Sequence, residues 1–505
     1  MTQTLSASEK GIHAKKPTAR VQLLTEGRLP PVTLCELPTP RPLFTLLGPG
    51  VVMVATSLGS GEIYFWPGLT MKYGFSLLWP ALIALFLQYV LNTEFARYTI
   101  ATGETIITGF SRLWSPLAWI FLVCSTLPWL WPGWSTGGAT AFSWVVGGRP
   151  AVISAVSLVL IGLALTGSRV VYRAVERIQM VLTVFIVAMI ALIALTVVRG
   201  PTLSAFVGGL TSFPTSLPAD LSMATFLAAL AFCGAGGSIN LATSHWVRDK
   251  GFGMGGRVPK VTSPLTGEKV SVASEGHFFE ASPEGLDRWR VWWRLARREQ
   301  ILTFLVTGAI GLILLMLISH SLLYGSGLQI GMEMLEVEGS VLESQTVPRA
   351  AAVFYLVVAA VFFTSALGVL DHVARVSADI IKANALSVRR SERPYLSESA
   401  LYFYVLWTMI IFAIGVLFVA DIQDTPTLLK IAGSLSGIVM FLYSCLTIVL
   451  MRRLARDVAS ADSRFYNRNP FSVSRWRLFA LIVAVVFYGG FSVLLVFDVV
   501  RGFLE

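Results

Sequence analysis

A run of about 20 apolar residues is long enough to cross a bilayer as a helix. This chain carries about eleven such runs, at 45–68, 75–98, 115–136, 150–167, 175–198, 222–245, 300–323, 350–378, 398–420, 427–451 and 476–499, here called segments 1 to 11. In hydrocarbon every backbone N–H and C=O must be bonded within the protein, which leaves only helices and closed barrels. The two-residue alternation of a barrel strand is missing. The expected fold is therefore an all-α polytopic membrane protein. Composition agrees: of 505 residues 55% are hydrophobic and only 13% charged, against about 25% charged in soluble domains.

The basic residues predict an orientation. With the N-terminus in the cytosol, about 33 of the 39 Lys and Arg fall in the tail, in the loops after segments 2, 4, 6, 8 and 10, or at the adjoining helix ends. The remaining loops are acidic or neutral, as in 332-MEMLEVEGSVLE-343 and 421-DIQD-424. Basic loops mark the cytoplasmic side, so the reading is N-terminus inside and C-terminus outside, in a plasma (inner) membrane. The net charge of +10 is accounted for by topology and contact with membrane lipid, and no nucleic-acid partner is expected. The four cysteines are scattered and show neither metal spacing nor a disulfide framework.

Residues 1–44 read as a flexible cytosolic tail and 45–500 as the transmembrane domain. Within the domain, 246–299 is a cytosolic loop insertion. Part of it, 257-RVPKVTSPLTGEKVSV-272, has the Pro and Gly punctuation of a small hairpin. Its end, 287-DRWRVWWRLARREQ-300, mixes Trp289, Trp292 and Trp293 with five arginines and reads as an interfacial amphipathic helix.

Segment 1 is interrupted at 59-GSGE-62 and segment 6 at 233-CGAGGSIN-240. Glycine costs a helix interior about 1 kcal/mol relative to alanine and permits unwound backbone. In lipid such backbone persists only where protein or a water-filled cavity bonds it. The interruptions stand five segments apart, as expected if 45–198 and 222–451 are inverted five-helix repeats and 476–499 is an extra helix. Paired interruptions of this kind point to a central transport site. Its candidate residues are Gly59, Ser60, Gly61, Glu62, Gly236, Gly237, Ser238 and Asn240. Close packing through small residues explains one glycine patch, but less readily a matched pair carrying a carboxylate.

Glu62 is the sharpest residue. An intramembrane carboxylate costs several kcal/mol and is a functional candidate by default. It could bind a cation, carry a proton, or form a structural ion pair with Lys430 or Arg375. Asp371 and His372, in 371-DHVARVSAD-379, are weaker candidates for proton coupling. Asp371 and Arg375 are four apart and can pair on one helix face. Cys233 could be a soft ligand, although a buried Cys is more often a small hydrophobe.

At 48-GPGVVMVATSLGSGEIYFWPGLTMKYGFSLLW-79 the chain resembles the natural resistance-associated macrophage protein (Nramp) family of divalent-metal transporters. The resemblance continues at 87-LQY-89, 102-TGE-104, 176-ER-177 and 240-NL-241, in order along the chain. It implies a leucine-transporter-like fold, with metal bound between interrupted helices 1 and 6 and usually driven by protons. The site departs from the family pattern. The usual Asp-Pro-Gly-Asn of the first helix reads Gly59-Ser60-Gly61-Glu62, and the usual Met-Pro-His of the sixth reads Gly237-Ser238-Ile239, with Asn240 retained. The acids usual in segment 3 and the basic pair usual in segment 9 are missing. A divergent member is implied, with Glu62 and Asn240 as metal ligands. An all-oxygen site of this kind favours harder ions.

Three readings follow. The first is a secondary transporter of a divalent cation, possible proton coupling included, with the metal as substrate and no resident cofactor. The second keeps the fold but carries an amino acid or another small organic solute. The third is a non-transporting membrane sensor. No nucleophile–base pair or nucleotide motif is visible, so an enzyme is not expected.

Overall fold

The computed structural model describes residues 20–21, 24, 29–211, 217–262, 276–386, 397–420, 424–465 and 469–504, excluding a few side chains, those of residues 59 and 60 among them. Residues 1–19 of the tail, and 263–272 of the hairpin expected at 257–272, lie outside the described residues.

Among the described residues nine helices are long and apolar enough to cross a membrane. The first, Pro49–Thr102, runs segments 1 and 2 together. Segment 6 is not one of the nine because it is two short helices, Met223–Ala231 and Gly237–Lys250. With these two adjustments each of the segments read from the sequence is a helix. Segments 2, 6 and 8 are largely buried, whereas segments 4, 5 and 11 present apolar faces outward, with Val181, Val184, Phe479 and Val486 among them. Contiguous exposed apolar surface of this kind needs a nonaqueous neighbour, and the protein is an integral membrane protein.

Segment 3 is longer than expected. Instead of ending near residue 136 it kinks at Leu127–Pro132 and resumes as Gly133–Val146. The small residues that read as loop are what let segment 8 approach. A Cβ on Gly137 would lie 2.8 Å from the Phe362 ring, and one on Gly138 would lie 2.8 Å from Phe363. The acidic outer loop is also helical, at Met332–Gln345.

At the end of the bundle that carries the basic loops, the expected tail is not free along its length. Strand β2, Val32–Cys35, pairs antiparallel with β1, Arg20–Val21, and parallel with β3, His277–Phe279 of the loop insertion. The expected interfacial helix forms at Pro283–Gln300 and runs on into segment 7. Two of its three tryptophans are buried in contact with the tail and the small sheet. Trp289 stacks on Phe279 at 5.5 Å, and Trp292 donates to the Pro38 carbonyl at 2.8 Å. The tail and the small sheet, which no periodicity announced, supply that surface.

The same end holds a buried charge network. Arg375 Nε contacts both Asp371 oxygens, at 2.9 and 2.8 Å, and its guanidinium also pairs with Asp249. Arg248 joins Asp379 at 3.0 Å and Glu398 at 2.5 Å. These pairs tie segments 6, 8 and 9. Removing one partner of a buried pair strands the other charge, at about 3–5 kcal/mol. Arg375→Ala is therefore expected to lower the unfolding midpoint in detergent sharply. Arg464→Ala, which breaks an exposed pair with Asp462, should leave it unchanged; equal effects would contradict the assignment.

Candidate functional site

The first interruption is a widening rather than a gap. Segment 1 comprises Pro49–Ser57, a wide-turned stretch Leu58–Phe65 and Trp66–Tyr73. The Trp66 N–H reaches the Gly61 carbonyl five residues back, the bonding of a π-helix, which often marks functional sites. Gly61 is required by contact with segment 6. A Cβ there would stand 1.6 Å from the Phe232 carbonyl oxygen, so the two interrupted backbones touch. Trp66 Nε1 donates to the Ala229 carbonyl at 3.0 Å across the same contact.

The second interruption is a true break. Helix stops at Ala231 and restarts at Gly237. Gly234, Gly236 and Gly237 take φ values of 105°, 54° and 52°, a region that strongly favours glycine. One side chain from segment 2, Gln88, bonds both lips of the break. Its Nε2 donates to the carbonyls of Cys233 at 2.7 Å and Ala231 at 3.2 Å. Its Oε1 accepts from the N–H groups of Ala235 at 2.8 Å and Gly236 at 3.0 Å. A single amide thus replaces the helical bonds that the break removes.

Glu62 lies at the contact of the two segments and is 1% exposed. Its Oε1 accepts from Gly234 N–H at 3.2 Å and from Ser57 Oγ at 3.4 Å. Its Oε2 is buried without a partner among the described residues. The ion pair considered with Arg375 is not made, since Arg375 serves Asp371 and Asp249. Asn240 donates from Nδ2 to Asn92 Oδ1 at 2.7 Å and to Gln88 Oε1 at 3.3 Å, while its own Oδ1 is a second buried oxygen without a partner. Cys233 is engaged with the Ala81 carbonyl at 3.0 Å.

Ser238 and His372 meet at 3.0 Å between Oγ and Nε2. The His372 ring stands edge-on to Trp129 at 4.8 Å, and Trp129 stacks on Trp134 at 5.0 Å and meets Phe232 at 5.7 Å. The structure therefore gathers Gly61, Glu62, Gly236, Gly237, Ser238, Asn240 and His372 around the two interruptions. Gly59 lies in the widened stretch Leu58–Phe65, and the side chain of Ser60 lies outside the described residues. Asp371 is turned away: it is held by Arg375, by Trp246 Nε1 at 3.0 Å and by the Tyr402 hydroxyl at 2.9 Å. Adjacent residues on a helix do not share a face, which separates it from His372.

Sequence reasoning missed Gln88, Asn92 and Trp129 as site residues. Two amides four apart in an apolar segment were a usable signal, since residues at that spacing share a helix face. Ser436 was missed too; its buried, unpartnered hydroxyl would lie 2.4 Å from a Cβ on Gly237. Among the described residues no three His, Cys, Asp or Glu side chains form a group that could hold a metal.

The arrangement of two interrupted helices in contact within an inverted repeat is the leucine-transporter-like fold. No family model and no curated protein matches the sequence. Among solved structures the chain is similar to the manganese transporter of Eremococcus coleocola, in a mutant form, with 10% identity and a TM-score of 0.56 over 92% of this chain and 97% of that one. It is also similar to Mhp1, a nucleobase-cation-symport-1 family transporter in a closed conformation with bromovinylhydantoin bound, with 12% identity and a TM-score of 0.51 over 89% and 91%.

Gln88→Leu would strand several buried backbone groups, each worth about 1–3 kcal/mol. The variant is expected to lose most of its thermal stability in detergent, and Asn92→Leu distinctly less. Retention of the wild-type midpoint by Gln88→Leu would show that the break is held by something else.

Proposed function

We propose that this protein is a secondary active transporter that carries a divalent metal cation across the membrane by alternating access. The observation that carries the reading is Glu62 Oε2, a buried carboxylate oxygen with no partner at the contact of two interrupted helices. An uncompensated charge in a low-dielectric interior is costly. A positive cargo removes that cost whenever it binds. The orphaned Asn240 Oδ1 on the facing helix offers a second oxygen, and carbonyls freed by the break can supply more.

Carboxylate, amide and carbonyl oxygens suit Mn²⁺, Mg²⁺ and Ca²⁺. With one carboxylate against two positive charges, the ion keeps part of its water. The fold shared with a manganese transporter supports the reading. Protonation of Glu62 in the unloaded state would neutralise the same oxygen, which couples the cargo to a proton. His372, bonded to Ser238 at the start of the second half-helix, is the second coupling candidate. The basic loops support an orientation with the N-terminus in the cytosol and the C-terminus outside, and the reading takes the membrane to be the plasma (inner) membrane.

A second reading, a small organic cation or amino acid, is favoured by one observation, the ring cluster of Trp129, Trp134 and Phe232 beside the break. Aromatic faces attract desolvated cations.

In proteoliposomes, saturable uptake of Mn²⁺, Mg²⁺ or Ca²⁺ is expected, stimulated by an inward proton gradient. Glu62→Gln should abolish it, because neutralising the sole carboxylate removes a charge-assisted contact. His372→Gln should keep uptake but lose its response to the gradient. No uptake by a folded, monodisperse preparation would overturn the metal reading. Transport of amines or amino acids by that preparation would establish the second.

A further inference from the structure

Far from the interruptions, three arginines surround one indole. The guanidinium carbons of Arg97 in segment 2, Arg477 in segment 11 and Arg297 in the helix Pro283–Gln300 lie 4.2, 5.2 and 5.4 Å from the Trp293 ring centre. Arg97 and Arg477 share the single carboxylate of Glu94, at 3.0 Å and 2.5 Å. Arg97 also donates to the carbonyls of Ser472 at 2.7 Å and Pro470 at 3.4 Å. Arg477 Nη2 is bonded to Thr93 and to the Val90 carbonyl.

Two donors have no acceptor among the described residues. These are Arg477 Nη1, on a side chain 2% exposed, and Arg297 Nε, on a half-buried one. Arg294 and Arg298, exposed on the same helix, add to the positive field at Arg297. Three guanidiniums against one carboxylate leave an excess of positive charge that the indole face offsets only in part. Unpaired buried charge is costly, and forked guanidinium donors match the oxygens of a phosphate.

We propose that this arginine cluster binds a phosphate ester, the headgroup of an anionic phospholipid in the leaflet at the basic end of the bundle. The lipid source follows from what borders the cluster. Trp476 and Phe479 of segment 11 are 50% and 69% exposed, so the ligand approaches along an apolar surface. The amphipathic helix that supplies Trp293 and Arg297 leads directly into the membrane.

The test is native mass spectrometry of the delipidated protein in neutral detergent, with phosphatidylglycerol, phosphatidylcholine or inorganic phosphate added. Phosphatidylglycerol should be retained over phosphatidylcholine, and Arg297→Gln should reduce that retention about fivefold, the scale of one lost basic contact at an anionic surface. Arg297 makes no hydrogen bond that holds the fold, and an unaltered unfolding midpoint without lipid checks this. Arg199→Gln, an exposed arginine at the other end, should change nothing. Equal retention of both lipids, or Arg297→Gln behaving like Arg199→Gln, would overturn the proposal. Binding of inorganic phosphate that phosphatidylglycerol does not displace would overturn the lipid source.

Discussion

Unwound backbone inside a membrane needs a partner for every polar group, and in this protein that partner is one amide. Gln88 accepts from the N–H groups after the break in segment 6 and donates to the carbonyls before it. Glutamine suits the task because its side chain carries both a donor and an acceptor at one end. With the break held open, Gly234 can turn its N–H toward Glu62, and Asn240 can lean on Asn92. The wide turns of segment 1 serve the same geometry from the other side, bringing Gly61 against Phe232. The site is therefore shaped mainly by segment 2, which contributes no charge to it.

How much of this was legible follows from the physics of each feature. Apolar runs announce spanning helices because lipid tolerates little else, and the segments were readable. Glycine beside a carboxylate in such a run announces an interruption, and both were found where expected. The kind of interruption was not readable: a wide-turned helix and a true break have similar glycine content, and packing against Phe232 and bonding by Gln88 decide between them. Segment 3 was ended at residue 136, short of Gly137 and Gly138, which the structure packs against Phe362 and Phe363. Asp371 and His372 looked equivalent in sequence. Helical geometry sends one to Arg375 and the other to Ser238. The small sheet at the basic end was invisible because strands of two to four residues carry almost no pattern.

The charges divide the molecule in two. At the basic end most buried charges are paired, Arg375 with Asp371 and Asp249, Arg248 with Asp379 and Glu398, Lys250 with Glu176, the arginine cluster around Trp293 excepted. At the helix interruptions Glu62 has no ionic partner among the described residues. Buried pairs fix arrangement more than they add stability. The paired end therefore specifies which helices stay together, while the unpaired carboxylate keeps its charge available to something that arrives.

The strand at Val32–Cys35 also has a mechanical meaning. Pro30 is held by Arg112, in the short helix Ile106–Leu113 after segment 2, and Pro38 by Trp292, in the helix before segment 7. Those anchors belong to opposite halves of the molecule. The eight residue steps from Pro30 to Pro38, fully extended, span at most about 28 Å. While both anchors hold, the peptide is a tether of fixed maximum length between the halves. It sets a ceiling on how far they can separate at that end, whatever solute lies between them.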